Sequence, residues 1–363
     1  MKILVLSNYD APFYSVRPEA ELFIGLKKCG HDITVMSFPK SGYREKFISN
    51  GIKFLPFHPL KKWDSGFIRE LKKELQGGQY DIVHAFNKKC ITNAISAIKG
   101  SSTKLVTYRG VTGYMPWYDP TSYLSHLHSR VDAITCVSQS ATDYLQSQLR
   151  KKDKVFTVYK GHNVDWYEGI LPINLKEIGI PDGSKVGICV ANIRKMKGLK
   201  YLLEATNLLG EEDHFHLLLV GNGMDQPEFQ TQIEQSFMAK RIHSLGFRRD
   251  VLELIRSSDF LVLPSIKGEG LPKVVIEAMV QEVVPIASRV GGCPELIEDG
   301  VSGVIIEPGS AKAIAEAIRF CISSVEKMKK MGSAARIRIK DHFNVEVGVT
   351  GMENAYQQIL RKA

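Results

Sequence analysis

The feature that most limits what this chain can fold into is a pattern that runs twice. Short apolar stretches alternate with amphipathic ones, pause over residues 162–184, and then alternate again. A parallel strand covered on both faces reads as a nearly continuous apolar run, whereas a helix repeats its apolar residues every three or four positions. On that basis residues 2–8, 32–38, 52–57, 81–87, 104–110, 133–138 and 154–161 are predicted strands, and 18–29, 65–75, 90–99 and 140–149 predicted helices. The second series predicts strands over 185–191, 216–221, 241–247, 259–263, 283–288 and 303–306, with helices over 198–209, 228–239, 250–257 and 310–323. Strand, helix, strand in repetition builds a doubly wound parallel sheet. At 363 residues two such series predict two Rossmann-like α/β domains, 1–165 and 185–340. A linker over 166–184 joins them, and 341–363 carries a last helix over 345–360.

Within the second series, the stretch from Leu261 to Glu295 concentrates the chemistry. Its strand ends at Pro264-Ser265, a glycine-flanked acid follows (Gly268-Glu269-Gly270), and a helix is expected to open at Leu271-Pro272-Lys273, Pro being tolerated there because its missing N–H has no intrahelical acceptor. Glu277 lies eight residues after Glu269, about two helical turns on. Free amides at such a helix start suit a phosphate, and a carboxylate further along can accept both hydroxyls of a ribose. Taken alone, the pair more often reads as a helix cap at Glu269 and a solvated face residue at Glu277.

Glu269 and Glu277, followed by Gly291-Gly292-Cys293-Pro294-Glu295, resemble the Glu-x7-Glu signature and Gly-Gly-x-Pro-Glu turn of the retaining glycosyltransferases of family 4. The resemblance is close over residues 185–310 and loose over 1–160. It implies the GT-B fold, two Rossmann-like domains facing each other across a cleft with the last helix returning to the first domain. It also implies transfer of a sugar from a nucleotide-diphosphate donor to a glycan or lipid-linked acceptor with retention, in envelope polysaccharide or lipopolysaccharide assembly. No covalent enzyme intermediate and no bound divalent ion are implied, and the donor is a substrate, not a cofactor. Glu269 would then hold the donor sugar and Glu277 the ribose. Arg194, Lys197 and the amides of Gly270 and Leu271 would stabilise the leaving diphosphate. Arg194 stands in for an Arg that the family more often has where this chain has Asn192. Gly221, in Gly221-Asn222-Gly223, and Phe247 fall where the family frames the nucleotide, and Phe247 is expected either to stack or to pack.

The first series departs from the family. Its first loop, Tyr9 to Arg17, is bulky and aromatic where a Gly-Gly is usual, and Arg109 stands at the end of a strand where a His is usual. Arg109 is expected to offset charge on an acceptor or on the departing phosphate, or else to form a surface ion pair. Arg17 and His84 are candidate acceptor contacts, although a lone His such as His84 is more often structural.

Composition narrows the alternatives. Residues 1–110 hold 18 Lys and Arg against 9 Asp and Glu, while the remainder holds 30 of each, so the net charge of +9 lies in the first third. That predicts an acidic partner, an anionic membrane surface or a phosphorylated acceptor, and without an aromatic-basic recognition motif it argues against nucleic acid. The six cysteines stand singly, without C-x-x-C spacing, and there is no Asp-x-Asp run, which argues for a reducing cytoplasm and against a metal site. No stretch has the length of a membrane span, so the expected place is the cytoplasm, peripheral on the membrane's inner face. Two rival readings keep the same architecture: a nucleotide-sugar epimerase and a non-catalytic nucleotide-sugar binding protein.

Overall fold

The computed structural model describes residues 1–10, 13–210 and 214–361. The chain divides into two units, 1–161 with 343–363, and 162–342. In the first, the order is β1 (Lys2–Leu6), α1 (Phe13–Lys28), β2 (Asp32–Met36), α2 (Arg44–Ser49), β3 (Lys53–Leu55), α3 (Ser65–Gly78), β4 (Ile82–Ala85), α4 (Lys88–Ala97), β5 (Lys104–Arg109), β6 (Ala133–Cys136), α5 (Gln139–Gln148) and β7 (Val155–Thr157). The second contains β8 (Lys185–Val190), α6 (Leu199–Thr206), β9 (Phe215–Val220), α7 (Pro227–Glu234), β10 (Ile242–Gly246), α8 (Val251–Arg256), β11 (Phe260–Leu263), α9 (Lys273–Val280), β12 (Val284–Ser288), α10 (Cys293–Leu296), β13 (Val304–Ile306), α11 (Ala311–Ser323) and α12 (Val325–His342). The last helix, α13 (Val345–Arg361), belongs to the first unit.

Both sheets are parallel throughout, in the orders β3-β2-β1-β4-β5-β6-β7 and β10-β9-β8-β11-β12-β13. Alternate residues of β1 show why its run is apolar on every position. Ile3 and Val5 pack into the core shared with α1 and α13, while Leu4 and Leu6 pack into the opposite core with α3 and α4. Each sheet reverses its winding once, at β1/β4 and at β8/β11, where adjacent strands send their loops to opposite sides and leave a crevice at the carboxyl edge.

Several boundaries differ from expectation. The helix predicted from Pro18 begins at Phe13 with Pro18 inside it, so Arg17 is helical, and of the expected first loop Ala11 and Pro12 lie outside the described residues. The strand over 154–161 is ladder-paired only at Val155–Thr157. The helix over 228–239 ends at Glu234, and α9 opens at Lys273 with Pro272 as its cap. The expected linker is packed into the second unit: the Ile173 amide donates to Ser257 Oγ at 2.8 Å, and Arg336 pairs with Glu168 at 3.7 Å. The 18-residue α12 has no predicted counterpart. Its Arg336 donates to the Val280 carbonyl at 2.6 Å and its Arg338 to the Leu296 carbonyl at 2.7 Å, satisfying carbonyls that the ends of α9 and α10 leave open.

Helix α13 packs on α1 so closely that a methyl added to Gly25 would sit 2.4 Å from Val349 Cγ2. It also reaches the sheet. Tyr356, fully buried, places its hydroxyl 2.6 Å from His84 Nδ1, and His84 Nε2 lies 3.1 Å from Thr135 Oγ1. His84 is therefore a core residue with both ring nitrogens engaged, and it is not available to an acceptor; this corrects the expectation that placed it there. Burial, with the Lys160 charge adding to it, pushes its pKa down to about 3.

Two outcomes follow. Tyr356→Phe leaves a buried ring nitrogen without its partner and should cost about 1–3 kcal/mol in urea unfolding with the fold retained. His84 and the equally buried His126, also pushed down to about 3, stay neutral in the folded chain while the unfolded chain protonates near the ordinary value of about 6.5. Stability is thus fully present above that value and should fall as pH drops below it, by at most about 1.4 kcal/mol per pH unit for each histidine. A urea midpoint that does not change from pH 7 to pH 4.5 would contradict this.

Candidate functional site

The crevice of the second sheet is built by two loops that the β8/β11 pairing forces together. After β8 the chain makes a short 3-10 turn over Lys195–Lys197 and bends at Gly198, whose φ of 68° favours glycine. A Cβ there would lie 1.9 Å from the Pro264 carbonyl oxygen at the end of β11. The Ile266 amide closes the contact by donating to the Met196 carbonyl at 2.8 Å. Lys197 is thereby carried to Glu269, its Nζ 2.6 Å from Oε1, and Ser265 Oγ donates to the same oxygen at 2.5 Å.

Glu269 is buried, and its backbone is gripped as well as its side chain. Gly291 follows β12 with φ 54° and comes so near that a Cβ would meet the Glu269 carbonyl oxygen at 1.8 Å. The Gly292 amide donates to the Gly270 carbonyl at 2.7 Å. These glycines are where they are because no larger residue lets the three loops touch. Among the described residues the amides of Gly270 and Leu271 have no protein acceptor, so the turn into α9 presents two unsatisfied donors beside the Lys197 ammonium.

Glu277 lies inside α9, buried on the same side of the sheet's edge, with Oε1 accepting from Lys273 one turn earlier. Burial holds its pKa above the ordinary carboxylate value against the pull of the Lys273 charge. One of its oxygens is thus satisfied by protein, and the other has no protein partner among the described residues.

The outer residues are arranged differently. Arg194 is exposed, its carbonyl accepts the Lys197 amide at 2.8 Å, and its guanidinium bonds to no protein group among the described residues. Phe247 is 64% exposed, so of the two expected roles the structure removes packing. Gly221 approaches the Ala191 carbonyl, where a Cβ would sit at 2.0 Å, but its amide already donates to the Gly246 carbonyl at 2.8 Å. It shapes the loop and offers no free amide.

In the first unit, Arg109 ends β5 and donates from Nη2 to the Gly113 carbonyl. Arg17, half-buried on α1, acts on the phenol of Tyr43. The crevice at β1/β4 holds a group that sequence reasoning did not single out. Glu19 accepts from Ser7 and pairs with Lys160 at 3.0 Å, and the Lys160 ammonium lies 4.1 Å above the Tyr108 ring. Glu19 and Lys160 stand 141 positions apart, and nothing in either neighbourhood announces the pair.

With this geometry in hand, comparison with known proteins is specific. Residues 20–166 match the family model "Glycosyltransferase Family 4" and residues 172–338 match "Glycosyl transferases group 1". The N-acetyl-alpha-D-glucosaminyl L-malate synthase of Bacillus anthracis is 31% identical over 235 residues, an alignment spanning 63% of this chain and 60% of that protein. The uncharacterized glycosyltransferase MJ1607 of Methanocaldococcus jannaschii is 30% identical over 322 residues, 80% of each chain. A putative colanic acid biosynthesis glycosyltransferase of Escherichia coli, WcaL, is 28% identical over 47% of this chain and 42% of its own length. Among solved structures, Anabaena Alr3699/HepE in complex with UDP-glucose superposes with a TM-score of 0.76 at 19% identity, covering 98% of this chain and 99% of that one. Because the two family matches meet where the two units divide, and MJ1607 is this similar over four-fifths of both chains, the chain belongs to the GT-B glycosyltransferases of group 1 and family 4.

Proposed function

We propose that the protein transfers a sugar from a nucleotide-diphosphate donor to a glycan or lipid-linked acceptor, with retention of anomeric configuration, in the assembly of a cell-envelope polysaccharide. The observation that carries this is the junction at the carboxyl ends of β8 and β11, where Lys197, the buried Glu269 and the open amides of Gly270 and Leu271 converge. An ammonium beside two aligned amides is matched to a diphosphate whose charge grows as the glycosidic bond breaks. In this reading Glu269, oriented by Lys197 and Ser265, accepts hydroxyls of the donor sugar, and the free oxygen of Glu277 accepts the ribose. The exposed guanidinium of Arg194 closes on the diphosphate from outside, and Phe247 stacks on the base.

Positive charge for the leaving group comes from these side chains in place of a divalent ion, and no protein nucleophile is assigned. UDP is the donor nucleotide to test first, since Alr3699/HepE binds UDP-glucose on the same fold. The polysaccharide assignment is supported by the relative named for colanic acid biosynthesis. The basic excess over residues 1–110, with Trp117 and Tyr118 exposed on the first unit, supports a peripheral position on an anionic membrane face in the cytoplasm.

The experiment is a thermal-shift screen over UDP, GDP, ADP and CDP, followed by transfer assays with the matching nucleotide-sugar in the presence of EDTA. Glu277→Ala should weaken nucleotide binding roughly 10- to 100-fold, the worth of a hydrogen bond to a charged group, without lowering the apo unfolding midpoint by more than a few degrees. Lys197→Met should lower kcat by on the order of 100-fold, as for loss of one charge-stabilising donor. Full activity in either variant would sink the assignment. Release of an altered free monosaccharide from donor alone would favour an epimerase.

A further inference from the structure

A second cavity, of about 250 Å³, lies within the first unit at the carboxyl end of β5. Its wall carries two cations, Arg109 as the last residue of β5 and Lys88 as the first of α4. Neither is paired with a carboxylate among the described residues. Arg109 is half-buried, with one Nη2 donating to the Gly113 carbonyl and its Nε buried without an acceptor. Lys88 opens the ten-residue α4, whose Cys90 amide is already capped by Asn87 Oδ1 at 3.0 Å. The one carboxylate on the wall, Asp119, has both oxygens engaged by Thr121, at 2.8 Å from its amide and 2.8 Å from its hydroxyl.

The floor of the cavity is His126, buried, with Nδ1 2.9 Å from Thr107 Oγ1. Its pKa is lowered first by burial and then by the charges of Arg109 and Lys88, which line the same cavity. Lys88 is exposed and its charge also acts on Asp119, whereas the half-buried Arg109 guanidinium has no carboxylate partner and a buried Nε without an acceptor, which raises the free energy of the empty cavity. An anion entering it removes that cost and gains charge-assisted hydrogen bonds.

We propose that this cavity binds a phosphate group of the acceptor. The inference rests on the glycosyl-transfer reading above and supplies what that reading leaves open, the charge of the molecule that receives the sugar. Arg109 and Lys88 hold the phosphate, and His126 packs beneath it as a neutral ring.

Isothermal titration of the full chain with four probes tests it: glucose 6-phosphate, decyl phosphate, and their uncharged counterparts glucose and decanol. A charged probe should bind and its uncharged counterpart should not. The two charged arms separate a soluble sugar phosphate from a lipid-borne one. Lys88→Met, at an exposed position that leaves folding intact, should weaken the charged probe about tenfold, the worth of one charge-assisted hydrogen bond. Arg109→Lys should weaken it by a smaller factor, and Lys197→Met should leave it unchanged. No binding of either phosphate, equal binding in Lys88→Met, or loss in Lys197→Met instead, would overturn the proposal. If Lys88-dependent binding persists while no nucleotide-sugar is turned over, the transfer reading fails and the cavity stands. If transfer proceeds equally well to uncharged acceptors in wild type and Lys88→Met, the cavity assignment fails and transfer stands.

Discussion

The second unit depends on one close approach, that of the loop after β11 to its two neighbours. Glu269 can be buried only because an ammonium and a hydroxyl both reach one of its oxygens, and they reach it only because Gly198 and Gly291 let backbone touch backbone. The order of cause runs from topology to charge. The winding of the sheet reverses at β8/β11, two loops are brought side by side, glycines permit the contact, and a lysine and a glutamate meet across it. A charged pair in such a place adds little net stability, because the desolvation of both ions opposes their attraction. Its value lies in orientation: the carboxylate is fixed before any ligand arrives, and the amides of Gly270 and Leu271 are aimed by the same contact.

Much of this was legible in the sequence, for a physical reason. Parallel strands buried on both faces write themselves as uninterrupted apolar runs, and each predicted strand overlaps a real one. Glu269, Glu277, Lys197 and the two glycines of Gly291-Gly292 were legible because their spacing is local and each loop lies directly after a recognisable strand. What escaped was set by contacts between distant residues. His84 is legible as an acceptor contact or as a structural histidine, and only Tyr356, 272 positions later, decides for the core. Glu19 and Lys160 are hidden in the same way. The cavity at Arg109 draws its second cation from α4 and its floor from His126, none of which is adjacent in sequence.

Local signals misled in other places. The amphipathic pattern predicts a helix only from Pro18, yet the helix begins five residues earlier and carries the proline inside it. Helix α12 is rich in lysine and arginine, and its apolar face is diluted to a few residues such as Met328, Met331, Ala335 and Ile339. Its stability comes from docking onto α9 and from arginines that cap other helices, which no periodicity reveals. The segment read as a linker has a linker's composition but is tied down through the Ile173 amide and Glu168.

The return of α13 has a consequence for how the polypeptide is made. The first unit takes its initial 161 residues from the start of the chain and its remaining helix from beyond residue 342. Until that helix emerges from the ribosome, the groove on α1 around Gly25 stays open, the His84 imidazole has no phenol to meet, and apolar side chains of the nascent sheet face water. The later-made unit, continuous in sequence, can complete its own core first, so the amino-terminal half is the last to be finished.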